Sequence, residues 1–328
     1  MAREAATQAD ASAARAINED WGSDFDSRQI NRWSRAMGRL PLEEQKRQIA
    51  EFESGGHPAS PPNSPELLVL EVDGGRWQGK EKDPVSEGRW REDKVCTVIK
   101  YAPGDGGERK PEPLVCTVVA TTGDVREFGP LCRLEAERRG LREAEQVLVI
   151  ADGGNWIDPL VERTFHGYVR ILDYYHGSEH LWEVAAAVHG GNDAARQRYG
   201  EKLESWLWEG ETRKLLKELA SQSGRLGPPP PGATGTDPRH VVATNLQYFT
   251  SREDQMDYPT YRSRGWPIGS GQVEAGVKQF NKRIKGTEQF WRKESLEPIL
   301  ALRGMWLSQD DRWKRYWATR PAYARKAA

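Results

Sequence analysis

Three acidic residues of this 328-residue chain each close a segment that reads as a buried strand. Leu67-Leu68-Val69-Leu70-Glu71-Val72 delivers Asp73 ahead of Gly74-Gly75, and Val147-Leu148-Val149-Ile150-Ala151 delivers Asp152 ahead of Gly153-Gly154. More loosely, Tyr168-Val169-Arg170-Ile171-Leu172 delivers Asp173 ahead of Tyr174-Tyr175-His176. A short run of Val, Ile and Leu is the pattern of a strand covered on both faces. The glycine pair lets the backbone turn away at once. Taken alone, each acid can be a helix cap. Three strands of one sheet that all end in acids gather them at one edge, where open α/β sheets bind ligands. Neighbouring carboxylates repel unless a cation joins them. Hard oxygen ligands of this kind select Mg²⁺ or Mn²⁺ over zinc.

A fourth acid stands far down the chain. Trp266-Pro267-Ile268-Gly269-Ser270-Gly271 introduces a helix that starts near Ser270 or Gly271 and carries Glu274. Lys278 and Lys282 follow at i+4 and i+8, with Arg283 and Lys285 beside them, so one face holds an acid and then cations. An ordinary solvated face with a salt bridge fits that spacing. The glycines also allow a close backbone approach, and the basic run suits phosphate groups. Trp291, next to Arg292 and Lys293, can stack on an unpaired base or pack in a core.

The elements that must position these residues follow from composition and periodicity. Formal net charge is -1, from 48 basic and 49 acidic side chains, which excludes a uniformly basic nucleic-acid coat but not local patches. Mean hydropathy is -0.79, and no apolar run reaches membrane-spanning length or forms a signal peptide. Cys96, Cys116 and Cys132 have no C-x-x-C spacing, and Cys96 and Cys116, inside β-like runs, read as buried free thiols, which points to an intracellular protein. Residues 1–55 read as a helical segment. Within it Ser27 to Gly38, with Arg28, Arg32 and Arg35, has the form of a small amphipathic helix or of a DNA-recognition helix. Residues 56–65, rich in proline, form a linker.

The first part of a core spans 66–176. Three β runs (Leu67 to Asp73, Lys94 to Tyr101, Leu114 to Val119) form an antiparallel meander, followed by a helix from Pro130 to Arg142, the Asp152 strand, a helix from Trp156 and the Asp173 strand. Residues 177–255 are helical throughout, with a proline-rich hinge at 228–231. Residues 256–328 return to the core with the Glu274 helix and one further amphipathic helix from Ser295 to Trp317. The expected class is therefore α/β, with a mixed sheet, an all-helical insertion and a small helical N-terminal segment.

Val72-Asp73-Gly74, Asp152-Gly153-Gly154, Asp173-Tyr174-Tyr175-His176, Gly269 to Glu274 with Asn281-Lys282-Arg283, and the tail Ala301-Leu302-Arg303-Gly304 occur in one order. In that order the chain resembles a DDE transposase of the Mutator-like superfamily, close to the Kra group of bacterial insertion sequences, over roughly residues 66–317. The resemblance implies an RNase H-like core. It also implies Asp73, Asp152 and Glu274 as catalytic ligands of two Mg²⁺ or Mn²⁺ ions, and His176 with Asp173 in the superfamily's motif beside the active site. DNA contacts are expected from Lys278, Lys282, Arg283, Lys285, Asp173, Trp291 and Arg292. The implied partners are the terminal inverted repeats and target DNA, bound by a homodimer in the bacterial cytoplasm at the nucleoid. Such proteins usually carry a longer N-terminal DNA-binding region, so a shortened form is expected here. An inactive remnant that only binds DNA, a metal-dependent RNase H-like nuclease and a sugar hydrolase with paired carboxylates share parts of this pattern. The last has no use for the cations after Glu274.

Overall fold

The structure, a computed structural model, describes residues 2–84, 86–286 and 289–320. Three helices come first: α1 (Ala2–Thr7), α2 (Asp10–Trp21) and α3 (Ser27–Glu53). Asp26 starts α3 with a reciprocal cap, its carboxylate accepting from Gln29 N while the Gln29 side chain accepts from Asp26 N. Irregular chain over 54–66 leads into β1 (Leu67–Gln78), β2 (Trp90–Ala102) and β3 (Glu112–Thr121). After α4 (Val125–Arg138) come β4 (Gln146–Ala151), α5 (Ile157–Thr164) and β5 (Val169–Leu172). The five strands form one sheet in the order β3-β2-β1-β4-β5. The β1–β2 and β2–β3 pairs are antiparallel, and the β1–β4 and β4–β5 pairs are parallel. A meander that continues through helical crossovers into parallel strands is the RNase H-like arrangement.

One face of the sheet carries Leu68, Leu70, Val72, Val98, Val147 and Val149, packed against Phe128 and Leu131 of α4 and Leu160 of α5. Alternation along each strand sends Val69, Ile99, Leu148 and Ile150 to the other face. There they meet a purely helical region: α6 (Tyr174–His189), α7 (Asp193–Trp208), α8 (Thr212–Leu226), α9 (Pro238–Thr250) and α10 (Tyr258–Ser263). Leu181, Leu203 and Phe249 anchor that region to the sheet. Fully burying such a side chain contributes roughly 1.5–3 kcal/mol. The chain then returns over the same face as α11 (Gly271–Ile284), α12 (Lys293–Leu307) and α13 (Arg312–Ala318), burying Val273, Val277, Phe280 and Leu300 on Trp77, Val95 and Val118. Among the described residues no helix is long and apolar enough to cross a membrane.

Three elements differ from the sequence reading. The strand expected to turn away at Gly74-Gly75 runs on to Gln78, because β2 pairs with it along its whole length. The helix expected from Pro130 begins at Val125, because Asp124 caps it by accepting from Arg126 N and Glu127 N, and Pro130 lies inside. The helix expected to run from Ser295 to Trp317 is broken after Leu307. There Gln309 bonds to the edge strand, its N donating to Cys116 O while Cys116 N donates to its side chain. Asp311, in the left-handed region, then starts α13. An unpaired strand edge thus competes with helix continuation, and wins.

The N-terminal helices are docked on the core. Helix α3 crosses α12 so closely that a Cβ on Gly38 would lie 2.0 Å from Pro298 O. The fully buried Arg283, near the end of α11, donates to Asp10 at 2.7 Å. Arg303 of α12 donates to Ala6 O at 2.8 Å.

Candidate active site

Parallel pairing of β1 with β4 sets Val72 opposite Ala151, so Asp73 and Asp152 stand level one position further on, where β4 ends while β1 continues to Gln78 paired with β2. Each carboxylate is steadied by a backbone N–H just after it: Gly74 N donates to Asp73 at 2.6 Å and Gly154 N to Asp152 at 3.0 Å. Burial first, then the charges of Asp152 and Glu274, lift the Asp73 carboxyl to about 6 against the pull of Gly74 N and His176. The two strand-borne acids, Glu274 and His176 therefore share one electrostatic neighbourhood.

Glu274 is brought there by residues that periodicity does not single out. The side chain of Ser270 does not cap α11. Its first turn is instead satisfied from across the fold: Glu71, fully buried on β1, accepts from Val273 N at 2.8 Å. Asp173 holds the other side. Its Oδ1 accepts from Tyr175 N and His176 N at the start of α6, and its Oδ2 accepts from Ser270 N at 2.6 Å and from the Ser270 hydroxyl. Burial works against the Asp173 charge, but bonds from His176 and Ser270 outweigh it and hold the carboxyl below its usual range. The His176 imidazole lies 3.6 Å from Asp173, which raises it to about 9. At neutral pH it is a cation facing the acids.

The Asp152 loop is clamped by the helical region. Arg252, at the end of α9, donates to Gly153 O and to Asp158, both at 2.9 Å, and lies over the Tyr248 ring. A Cβ on residue 153 would come within 2.2 Å of that ring, so only glycine lets the loop pass beneath it. Neither Tyr248 nor Arg252 carries a sequence signal, since both act about a hundred positions from the loop they hold.

Of the basic residues expected at DNA, Lys278 is exposed and pairs with Glu274 at 3.3 Å, and Lys282 is exposed. Lys285 lies over the exposed Trp90 ring, and Arg292 is exposed 3.6 Å from Glu81. Three of the expected DNA contacts need correction. Arg283 is withdrawn from solvent into its pair with Asp10. Trp291 is buried in the core with its ring N–H donated to Ile284 O, which removes it as a stacking surface. Asp173 is fully buried with both oxygens engaged, so it positions neighbours rather than touching a nucleic acid.

The donor set suits a hard cation. Asp173, His176 and Glu274 each offer one ligand atom within 4.8 Å of the others. Because the Asp173 oxygens already accept four hydrogen bonds and His176 is held as a cation, the carboxylates left to bind an ion are Asp73, Asp152 and Glu274. Close behind, Asp93 of β2 is fully buried and neither of its oxygens has a hydrogen-bond partner. Burial first, then nearby Glu92 and Asp73, lift it to about 6 against the pull of Lys285. Carboxylates raised by burial and by one another in this way fit Mg²⁺ or Mn²⁺.

No family model and no curated protein sequence matches the chain. Among solved structures it is similar to the Drosophila P element transposase strand transfer complex, with 10% identity, a TM-score of 0.36, and coverage of 91% of this chain and 89% of that one. So distant a likeness leaves the function to be argued from the side chains.

Proposed function

We propose that the chain is a metal-dependent phosphodiester-cleaving enzyme acting on DNA, a DDE transposase of the Mutator-like superfamily akin to the Kra group. The observation that supports the reading is the electrostatic influence of Asp152 and Glu274 on Asp73, which adds to the rise that burial imposes on it. Each acid has an adequate private role as a cap or surface group, and shared cation binding gives a common placement its purpose. Asp73, Asp152 and Glu274 would hold Mg²⁺ or Mn²⁺. Bound there, such ions would activate an attacking water or 3′-hydroxyl and would neutralise the leaving oxygen.

The chain's own residues do the rest. His176, held as a cation by Asp173, donates a hydrogen bond toward a phosphate oxygen beside the acids. Glu71 and Asp173 fix the start of α11, so Glu274 arrives at a set place and angle. Arg252 and Tyr248 keep the Asp152 loop from drifting. Preorganisation of this kind is what in-line displacement needs from a protein. Strand transfer, recognition of terminal repeats, dimer formation on DNA and a place in the bacterial cytoplasm belong to the same proposal, supported by the ordered sequence motifs.

The test is cleavage of labelled duplex DNA carrying the element's ends, with Mg²⁺ or Mn²⁺ and with EDTA. Metal-dependent nicking that falls at least a thousandfold in Asp152→Asn, and joining of the 3′ end to a second duplex, are expected. A loss of that size corresponds to about 4 kcal/mol of transition-state stabilisation. Cleavage without joining would reduce the reading to an RNase H-like nuclease. Cleavage that survives EDTA or the substitution would end it.

A further inference from the structure

Away from the acids, a cleft of about 360 Å³ opens between α3 and the start of α12. One wall is a single face of α3: Arg28, Asn31 and Arg35, at i, i+3 and i+7. The other wall is Lys80 and the segment 289–292, ending in Arg292. This wall is rigid because Trp291 N donates to Gln78 O and Lys80 N to Trp291 O, both at 2.8 Å, while the Trp291 ring is anchored in the core. Helix α12, fifteen residues long, begins at Arg292 with no side-chain cap, and Ser295 of its first turn lines the cleft.

Four cations thus converge on one space, and the acid among them is already spent. Asp10 gives one oxygen to the buried Arg283 and the other to Asn31, each at 2.7 Å. Arg292 has only a long, solvent-exposed pair with Glu81, which is worth little. Among the described residues the side chains of Arg28, Arg35 and Lys80 make no ion pair, and Arg35 Nε is buried with no hydrogen-bond partner. Converging like charges without counter-charges repel, and an oxygen-rich anion relieves them. The cations do not stop at the rim. Arg89 lies over the Phe290 ring, and Lys285 lies over Trp90 and acts on Asp93, itself coupled to Asp73. A small anion needs one converging set, whereas a row that continues toward the acids matches a polymer with regularly spaced phosphates.

We infer that this cleft binds the phosphate backbone of duplex DNA whose neighbouring stretch reaches the acids, a deepening that rests on the DNA-cleaving function proposed above. Helix α3 then acts as one wall of a backbone clamp, not as a base-reading helix. Its remaining length is committed to α12, with Gly38 pressed on Pro298.

The experiment is fluorescence anisotropy of two unrelated labelled duplexes with the full chain, in EDTA, over a series of salt concentrations. Lys80→Glu/Arg292→Glu alters the exposed wall and Arg28→Ala/Arg35→Ala the helical wall. Lys217→Glu on α8, exposed and outside the cleft, is the control. Thermal melts confirm that each variant is folded. Both pairs are expected to weaken binding at least tenfold, equally for the two sequences, and to flatten the slope of log K against log salt by about 2, near one unit for each phosphate no longer neutralised. Asp152→Asn binds like the unaltered chain in EDTA, because the metal ligands are not the backbone clamp. If both folded pairs keep the unaltered chain's affinity and slope, the clamp is wrong while the cleavage reading stands. If the unaltered chain binds no duplex at all, both readings fall. A loss confined to one of the two sequences would mark base reading and also overturn the clamp.

Discussion

Two groups of buried acids lie in this protein, and they are built in opposite ways. On α4, the fully buried Glu135 meets Arg312 with both oxygens and has Arg138 at 3.4 Å and Arg139 at 3.9 Å. Asp310 joins the same network through Arg312 at 2.8 Å and Arg139 at 2.9 Å. Burial opposes the Glu135 charge, but Arg312 and then the other arginines outweigh it, so its carboxyl is lowered. At the sheet edge, Glu71 is lifted to about 8 and Asp73 and Asp93 to about 6, burial first and neighbouring acids adding to it. Residue type and burial are alike in the two groups. What separates them is whether the fold supplies the counter-charge, and a fold that withholds it leaves a place for a cation from outside.

Removing the supplied counter-charge should have the largest effect. Arg312→Ala leaves Glu135 buried and underpaired and is expected to cost about 3–5 kcal/mol, read by urea unfolding, while the thermal shift on adding Mg²⁺ persists. A loss under 1 kcal/mol would mean that the arginines merely decorate that acid. Next in size is the missing counter-charge itself. Mg²⁺ or Mn²⁺ at a hundred times its dissociation constant should raise stability by about 2.7 kcal/mol. That shift should vanish in Asp152→Asn and survive in Arg312→Ala, and equal metal responses in both variants would erase the contrast between the groups.

Smaller still, Asp93→Asn should stabilise the metal-free protein by about 1 kcal/mol at pH 8, since it removes a buried charge with no hydrogen-bond partner. Destabilisation in chemical unfolding would show that Asp93 has a stabilising partner. The subtlest expectation is a slope. Glu71 and Asp73 have raised folded-state values, so their stabilising contribution is complete below about pH 4 and drains away as pH climbs toward 8 and 6 respectively. Glu135, lowered, behaves in reverse: its contribution is present above the ordinary Glu range and is lost on acidification. The metal-free melting temperature should therefore decline from about pH 5 to 8, with Glu71→Gln flattening the decline. A Gln variant with the unaltered slope would remove Glu71 as its source.

The strand-borne half of the site is legible in the sequence, because an apolar run before Asp-Gly-Gly marks each strand, although only the Asp152 strand stops there; β1 runs on to Gln78 because β2 pairs with it. The helix-borne half is legible only through the order of motifs, since Glu274 followed by lysines is equally a surface face. The supports are hidden for a further reason. Glu71 sits inside an apolar run and faces a helix some two hundred positions away. Tyr248 and Arg252 look like ordinary residues at a helix end. Arg283 and Trp291 mislead in the other direction: a basic or aromatic residue near a charged run reads as exposed until Asp10 of α2 takes up the arginine and the sheet with α11 and α12 encloses the tryptophan. Periodicity reports which face is apolar and is silent about distant elements that cover the polar one.

The Asp173–Ser270 contact has a consequence for how freely this protein can change its size. One carboxylate joins the two ends of an excursion of 97 positions, so the site is referred to the staple and not to the length of chain between. With the ends fixed, doubling a flexible loop adds only about 0.6 kcal/mol of closure entropy. Helices distal to the staple can therefore be lengthened, shortened or exchanged with little effect on the acids, provided that α9 still offers its Tyr248–Arg252 clamp. The length of the excursion is thereby separated from the site, which depends on the staple, the clamp and the packing of Leu181, Leu203 and Phe249 on the sheet.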